Sequence, residues 1–326
     1  MSYQDKRLKT GTGASRCLLC GGKEFTLLAT RIREGAGRIL KCKECGLTVQ
    51  DLNWTKEEIA GYYQGEYQIT NSLVEGKAQS PQEHFNDRLK TIAPIFEKIR
   101  PLLKKESCVL EIGCGAGALL SKIKPLVSKC VGLELYGPFI GFIKKELGIE
   151  AYCSDVNESG LSGRFDLIIS IATLDHLPNP LETLIRMKEL LTPSGKIYLE
   201  VPNSEQALNL YLPGNSRDKF NEFFWHKAHF FYFNKETISM MFEKAGLKAE
   251  ISCRHDYTLK NFLQWYFTGR PQASFTEGVK ETDFFPSGQT DFEARMNRMF
   301  SGMDVEFKEI LADTFTGESL CCAGSM

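Results

Sequence analysis

No long hydrophobic run occurs in this sequence. Its longest nearly uncharged apolar stretch, Leu167–Leu174, falls far short of the roughly 20 residues that cross a bilayer. The N-terminal stretch MSYQDKRLKTGTGAS lacks an apolar h-region, so no signal peptide is expected and a cytoplasmic protein is. Net charge is nearly absent, at −1, which argues against general nucleic-acid binding. The ends do differ: residues 1–50 hold ten Lys/Arg against four Asp/Glu, and 271–326 hold four against ten. Such asymmetry fits solvated faces that complement each other better than it fits a nucleic-acid arm. Internal repeats and low-complexity tracts are missing too, which excludes solenoids and disordered polymers. What is present is 326 residues, 42% hydrophobic, 25% charged and 11% aromatic, a globular composition with a sizeable core. That length suits one large domain with an appendage, or two domains.

Cysteine is plentiful. Two tight pairs, Cys17-x-x-Cys20 and Cys42-x-x-Cys45, stand with twenty-one residues between them. A Cys-x-x-Cys turn aims two thiolates at one point, and two such turns complete a tetrahedral zinc site. Gly21 and Gly46 follow the second cysteine of each pair, where glycine lets the backbone turn tightly under the metal. Disulfide pairing and a redox Cys-x-x-Cys are the competing readings; the lack of a secretory signal and the matched knuckles speak against them. A structural zinc ribbon over residues 1–50 is therefore expected. Its four thiolates leave no open position for catalysis.

Beyond the ribbon, periodicity sets the organisation. Thr55–Gln64 reads as a helix and Gly65–Pro81 as a loop; His84–Ile99 carries Phe85, Leu89, Ile92, Ile95 and Phe96 at helical spacing. Residues 51–106 thus form a helical linker or lid. From Ser107 onward, short β-branched runs alternate with helical stretches. Cys108–Ile112, Cys130–Leu133, Glu150–Cys153, Phe165–Ser170 and Lys196–Val201 read as strands; Ala118–Val127, Gly137–Leu147 and Leu181–Leu191 read as helices. This alternation predicts an α/β fold with a parallel sheet covered on both faces. Lys235–Ala245 adds a helix and Leu247–Cys253 a sixth strand, so the core spans 107–254. Residues 255–317 read as a helical insert over the acceptor site, whose aromatics Tyr257, Trp265, Tyr266, Phe284 and Phe285 could line an acceptor pocket, and 318–326 as a final strand. Within the insert, Phe292, Met296, Met299, Met303, Phe307 and Ile310 form a stripe expected to pack on the protein.

The main chemical signal lies at the end of the first core strand, in Val109-Leu110-Glu111-Ile112-Gly113-Cys114-Gly115-Ala116-Gly117. Glycines there permit a tight turn and let a ligand approach the backbone at a helix N-terminus. Gly113-x-Gly115-x-x-Ala118 also satisfies a loose dinucleotide fingerprint. Three features weigh against a dinucleotide. Glu111 precedes the loop, where a carboxylate repels a pyrophosphate and welcomes a cationic amino acid. Ser154-Asp155-Val156 follows the third strand, placing an acceptor near an adenine amino group. Phe165-Asp166-Leu167-Ile168-Ile169-Ser170 then runs into Asp175-His176-Leu177.

Taken in this order, the segments over about residues 107–255 resemble class I S-adenosylmethionine-dependent methyltransferases. The resemblance implies a Rossmann-like, seven-stranded, mostly parallel sheet whose last strand is antiparallel. It also implies that Glu111, Gly113 and Gly115 hold the methionine part of S-adenosyl-L-methionine, and Glu134 the ribose. Asp155 would accept from the adenine amino group with Val156 packing beside it. Each acidic residue read alone is equally a strand-end charge or a helix cap.

The methyl group of a sulfonium is already activated, so alignment of a nucleophile is the main requirement, with a general base where the nucleophile is a hydroxyl. His176 is one candidate base. The segment Phe224-Trp225-His226-Lys227-Ala228-His229-Phe230 supplies two more. In small-molecule members of the family a His just before an aromatic and the sixth helix faces the substrate, and His229 matches that position. His84 and His255 have no such context. The ribbon joined to this core, with Tyr257-Thr258-Leu259-Lys260-Asn261, Trp265, Gly269 and Pro271, is similar to bacterial sugar and small-molecule methyltransferases. O-methylation of a sugar or sugar nucleotide is the expectation, in surface-polysaccharide or specialised-metabolite synthesis. An RNA base methyltransferase that holds RNA with its ribbon is the rival reading, and a non-catalytic scaffold the third. The sequence sets no oligomeric state.

Overall fold

A computed structural model of the chain describes residues 16–52, 54–70, 78–273, 275–279 and 283–326. Its strands in chain order are β1 (Phe25–Ile32), β2 (Gly35–Cys42), β3 (Thr48–Gln50), β4 (Cys108–Ile112), β5 (Lys129–Glu134) and β6 (Glu150–Cys153). They continue with β7 (Phe165–Ile171), β8 (Leu191–Pro202), β9 (Phe231–Tyr232), β10 (Lys248–Arg254) and β11 (Ser319–Ser325). Seven of them form one sheet in the order β10-β11-β8-β7-β4-β5-β6. The run from β8 through β6 is parallel, and β11 is antiparallel to both β8 and β10. This is the Rossmann-like sheet with an antiparallel last strand that the sequence led us to expect.

Successive residues on a strand point to opposite faces, so each central strand feeds two cores. Leu110, Ile168, Ile197 and Leu199 pack on one side with Met187 and Phe242, from helices Pro180–Leu190 and Lys235–Lys244. Val109, Leu167, Ile169 and Tyr198 pack on the other with Leu120 and Ile140, from helices Ala118–Ile123 and Gly137–Phe142. Each such side chain, fully buried, is worth about 1.5–3 kcal/mol. A buried polar tie crosses the antiparallel edge: Tyr198 donates to Glu200 at 2.6 Å, and Arg254 reaches Glu200 at 2.5 Å and Asp256 besides.

The second sheet was not foreseen. It has the order β1-β2-β3-β9 and joins the cysteine-bearing segment to the core through β3. Thr48 pairs with Tyr232 and Val49 with Phe231, all antiparallel. The only local hint of the β1–β2 hairpin is a turn at Arg33–Glu34 into Gly35, whose φ of 130° excludes most side chains.

Several expectations need correction. The helix over His84–Ile99 is two helices, Pro81–Thr91 and Ala93–Ile99, because Pro94 disfavours continuation through the residues before it. Part of the Gly65–Pro81 loop is helical, at Glu66–Thr70, while 71–77 lie outside the described residues. The stretch Ala118–Val127 is α-helical only to Ile123, then tightens to a 3-10 turn at Pro125. Gly137–Leu147 widens to a π turn after Phe142. The stripe in the helix Asp291–Asp313 does not pack wholly on the protein: Phe292, Met299, Met303 and Ile310 are exposed. Met296 and Phe307 of the stripe are partly buried, and the other residues this helix turns inward are Phe300, Asp304 and Leu311.

Candidate active site

Glu111 at the end of β4, Glu134 at the end of β5, Asp155 after β6 and Asp175 after β7 all lie where parallel strands finish. That edge of an open α/β sheet is where ligands bind. Gly113, Gly115 and Gly117 carry φ of 73°, 52° and 82°, left-handed values that the turn requires. A Cβ on Gly113 would lie 2.2 Å from Thr173 Oγ1, so the β4 and β7 loops touch only because glycine stands there. Gly113 and Cys114 donate to the Leu133 carbonyl at 2.8 and 3.1 Å, which fixes the loop against β5. Glu111 is buried, and its Oε2 has no hydrogen-bond partner among the described residues. Burial, then the neighbouring Glu134, pushes its carboxyl well above the usual range. An orphaned buried carboxyl beside an open glycine loop fits a cationic ligand group, whose charge would favour the ionised form that burial disfavours.

Glu134 is turned onto the loop. Its Oε2 accepts from Gly115 N at 3.0 Å, and its Oε1 from Leu135 N and Tyr136 N at 2.7 and 3.1 Å. Carboxylate oxygens have further lone pairs, so this geometry is compatible with ribose hydroxyls as additional donors. Asp155 Oδ1 caps the following turn, accepting from Asn157 N and Glu158 N at 2.7 and 3.0 Å. Val156 is buried next to it. His84, set aside in the sequence, lies directly over the loop: a Cβ on Gly115 would meet its Cε1 at 2.9 Å. Its ring sits 4.5 Å from Phe139, and burial lowers its pKa to about 4. Nothing in the local pattern of Pro81–Thr91 announces that this helix folds back across the glycines.

The histidines expected to act as bases come together. His229 Nε2 lies 3.1 Å from Asp175 Oδ2, and His176 Nε2 lies 3.5 Å from the same oxygen. The His226 and His229 rings are 3.6 Å apart, and His176 and His229 4.8 Å. All four side chains are buried. Burial pushes the Asp175 carboxyl up to about 7 and the His176 imidazole down to about 4. Burial also depresses His226 and His229, reinforced by Arg33 and the neighbouring imidazoles. The histidines are therefore neutral near pH 7. His229 Nδ1 and both oxygens of Asp175 have no hydrogen-bond partner among the described residues, so the carboxylate and the imidazole face each other at 3.1 Å with polar atoms to spare. Asp175 itself was quoted in the sequence only as part of a motif; its role as the hub of the cluster was missed. Tyr63 and Tyr67 close the site, with ring centroids 6.2 and 5.8 Å from His176. Those aromatics precede the core, whereas Phe284 and Phe285 of the insert pack on Phe300 and Phe292.

The loop holding His226 and His229 is anchored by the small sheet. Phe230 N donates to the Asp175 carbonyl at 2.9 Å, and Gln50 N to the Phe230 carbonyl at 3.0 Å. Oriented with its amide nitrogen inward, buried Gln50 also donates to the carbonyls of His226 and His229 at 3.1 and 2.8 Å. At the far end of that sheet, Cys17, Cys20, Cys42 and Cys45 converge, every Sγ within 4.8 Å of the others. Cys17–Cys45 and Cys20–Cys42 are 3.6 and 3.5 Å apart, close to the ~3.8 Å edge of a tetrahedron with Zn–S bonds of about 2.3 Å. Gly22 N donates to Cys20 Sγ at 3.3 Å, the backbone contact a thiolate needs. The four thiols fit zinc.

The sequence profile of the methyltransferase-domain family matches residues 83–250. The chain belongs to that family, and its sheet is the one used by class I members. Among curated relatives, a ubiquinone biosynthesis O-methyltransferase of Nitrosococcus oceani is 28% identical over 110 residues, covering 32% of this chain and 47% of that protein. A malonyl-[acyl-carrier protein] O-methyltransferase of Anoxybacillus flavithermus is 29% identical over 132 residues, 36% of this chain and 51% of that protein. The chain thus spans about half the length of these relatives. A solved S-adenosylmethionine-dependent methyltransferase from Archaeoglobus fulgidus is 17% identical with a TM-score of 0.46, covering 74% of this chain and 99% of that one. No helix among the described residues is long and apolar enough to cross a membrane.

Proposed function

We propose that this protein transfers a methyl group from S-adenosyl-L-methionine to a hydroxyl of a small polar acceptor, a sugar or sugar nucleotide. The observation that carries the reading is the buried Asp175–His229 pair, reached from the same sheet edge as the glycine loop. When bound, the cofactor supplies an electrophilic methyl group on a sulfonium. Glu111, Gly113 and Gly115 take its methionine end, with His84 above; Glu134 takes the ribose and Asp155 the adenine amino group, beside Val156. His229 then accepts the hydroxyl proton at Nδ1. Asp175, ionised above pH of about 7, holds the imidazole by Nε2–H and stabilises its charged form. His176 orients the same carboxylate, His226 stacks on the base, and Tyr63 and Tyr67 keep water out. Zinc on Cys17, Cys20, Cys42 and Cys45 has a folding role and no part in the chemistry.

A phenolic acceptor is the second reading, favoured by the ubiquinone biosynthesis enzyme among the relatives. Methyl-labelled cofactor offered with a panel of nucleotide-linked sugars and a panel of phenols separates the two. Label in a sugar is expected, and label confined to phenols removes the sugar assignment. Calorimetry that finds no cofactor binding at millimolar concentration removes the catalytic reading altogether.

A further inference from the structure

The helix Asp291–Asp313 turns large apolar side chains to solvent. Phe292, Met299, Met303 and Ile310 are 62%, 48%, 43% and 52% exposed, and Phe284, stacked on Phe300 at 4.0 Å, is 54% exposed beside them. At 100° per residue the four helix positions fall within about 20° of one line along the helix. A continuous apolar line on one face, unlike scattered exposed residues, marks a contact surface.

Its layout specifies the partner. The line is symmetric about Ser301: Met299 and Met303 stand at equal distances on either side, as do Phe292 and Ile310. Laid antiparallel on a copy of itself, the helix sets Met299 against Met303 and Phe292 against Ile310, in both directions at once. The charges beside the line obey the same symmetry. Arg295 borders it on one side in the first half of the helix, and Glu306 and Glu309 border it on that side in the second half. Antiparallel pairing brings like flanks together and sets Arg295 at the level of Glu306 and Glu309 of the second copy, whereas parallel pairing would set Arg295 against the opposite flank, away from those two carboxylates. Glu306 and Glu309 have no ion-pair partner among the described residues, and Arg295 reaches only Asp291 on its own helix, at 3.6 Å. Gly302, one residue from the symmetry point, has open space where a Cβ would stand. Glycine inside an exposed helix costs about 1 kcal/mol relative to alanine, and close approach of a second helix gives it a use.

We propose that this face is the contact between two copies of the chain, formed by antiparallel pairing of Asp291–Asp313 about a twofold axis near Ser301. Sedimentation of the full chain with zinc and reductant at tens of micromolar tests it. A mass near twice 36.8 kDa is expected, falling to one chain in Met299→Glu/Met303→Glu. A monomeric wild type overturns the proposal, as does a dimer that this double variant leaves intact. A charge exchange tests the geometry. Arg295→Glu alone and Glu306→Arg/Glu309→Arg alone each repel their own copies and weaken self-association about tenfold or more. Mixed together they restore every opposite-charge contact, so a mixed dimer is expected, at close to wild-type affinity. Failure of the mixture to pair, with both variants folded by circular dichroism, overturns the antiparallel arrangement.

Discussion

The two ends of the reacting space are built differently. The cofactor edge we propose is assembled from consecutive strand ends, β4 to β6, with one residue from elsewhere, His84, laid over it. The proposed acceptor end draws on helices Lys56–Gln64 and Glu66–Thr70, the Asp175–His176 turn, the 226–230 loop and the small sheet that holds that loop. Contacts within consecutive strand ends survive wherever the sheet forms. A site gathered from separated segments depends on every docking surface between them. The teaching is that cofactor binding should be robust and turnover fragile.

Experiments can break or sharpen that contrast, beginning with the largest effect. His229→Ala should reduce turnover about 100-fold or more while cofactor affinity stays nearly unchanged, as read by steady-state kinetics beside calorimetry. If affinity falls as much as turnover, the histidine loop belongs to the cofactor edge and the contrast fails. Next comes the metal. Cys42→Ser, or prolonged chelation, should release one zinc per chain and lower turnover by at least tenfold through the β3–β9 strand pair. Retention of cofactor binding by the zinc-free protein is the informative half of that measurement. Glu134→Ala and Asp155→Ala should each weaken cofactor binding by about 1–3 kcal/mol, a lost charge-assisted hydrogen bond, and unchanged affinity in both would mean that the pocket is elsewhere.

Smaller, and specific to the acceptor end, is the response to pH. Asp175 titrates at about 7, so turnover should rise about tenfold between pH 6 and pH 7.5 as the carboxylate forms, and Asp175→Asn should abolish that limb. The same raised value has a stability consequence of opposite sign. The folded state holds this proton more tightly than an unfolded carboxyl of 3.8, so Asp175 costs stability progressively as pH rises from about 4 to about 7. Thermal melts of wild type and Asp175→Asn across that window read it directly. His84→Ala is the mildest: a several-fold loss of cofactor affinity is expected from the ring above Gly115, and a larger loss in turnover than in affinity would reassign His84 to the acceptor end.

The same contrast explains what could be read from residues alone. β4 and β6 have the expected bounds to the residue, and β5, β7, β10 and β11 differ by a residue or two. Buried parallel strands need near-continuous β-branched and leucine runs, and such runs are visible in any linear text. Cys17, Cys20, Cys42 and Cys45 were legible for a similar reason, since chelation fixes spacing. The three histidines were found by motif, but the convergence of two of them, His176 and His229, on one Asp175 oxygen was not, because no periodicity encodes a meeting of residues 175 and 229. The position of His84 over Gly115 escaped for the same cause, as did the pairing of Val49 with Phe231. In the helix Asp291–Asp313 the stripe was seen and its direction misjudged. Amphipathic spacing identifies an apolar face but does not say which surface receives it.

The three residues of β3 have a consequence for heredity and engineering. Because Thr48–Gln50 completes a sheet with Phe231–Tyr232 and Gln50 holds the carbonyls of His226 and His229, residues 16–50 and 226–233 form one structural unit written in two places. A chimera that exchanges the ribbon at residue 50 with that of a relative is expected to fold its cysteine knuckles and still lose the placement of the 226–230 loop. Exchange of both segments together keeps it. Substitutions on one side of this pairing are thus tolerated only with their counterparts on the other, and shuffling experiments that respect the pairing should recover turnover that single-junction swaps destroy.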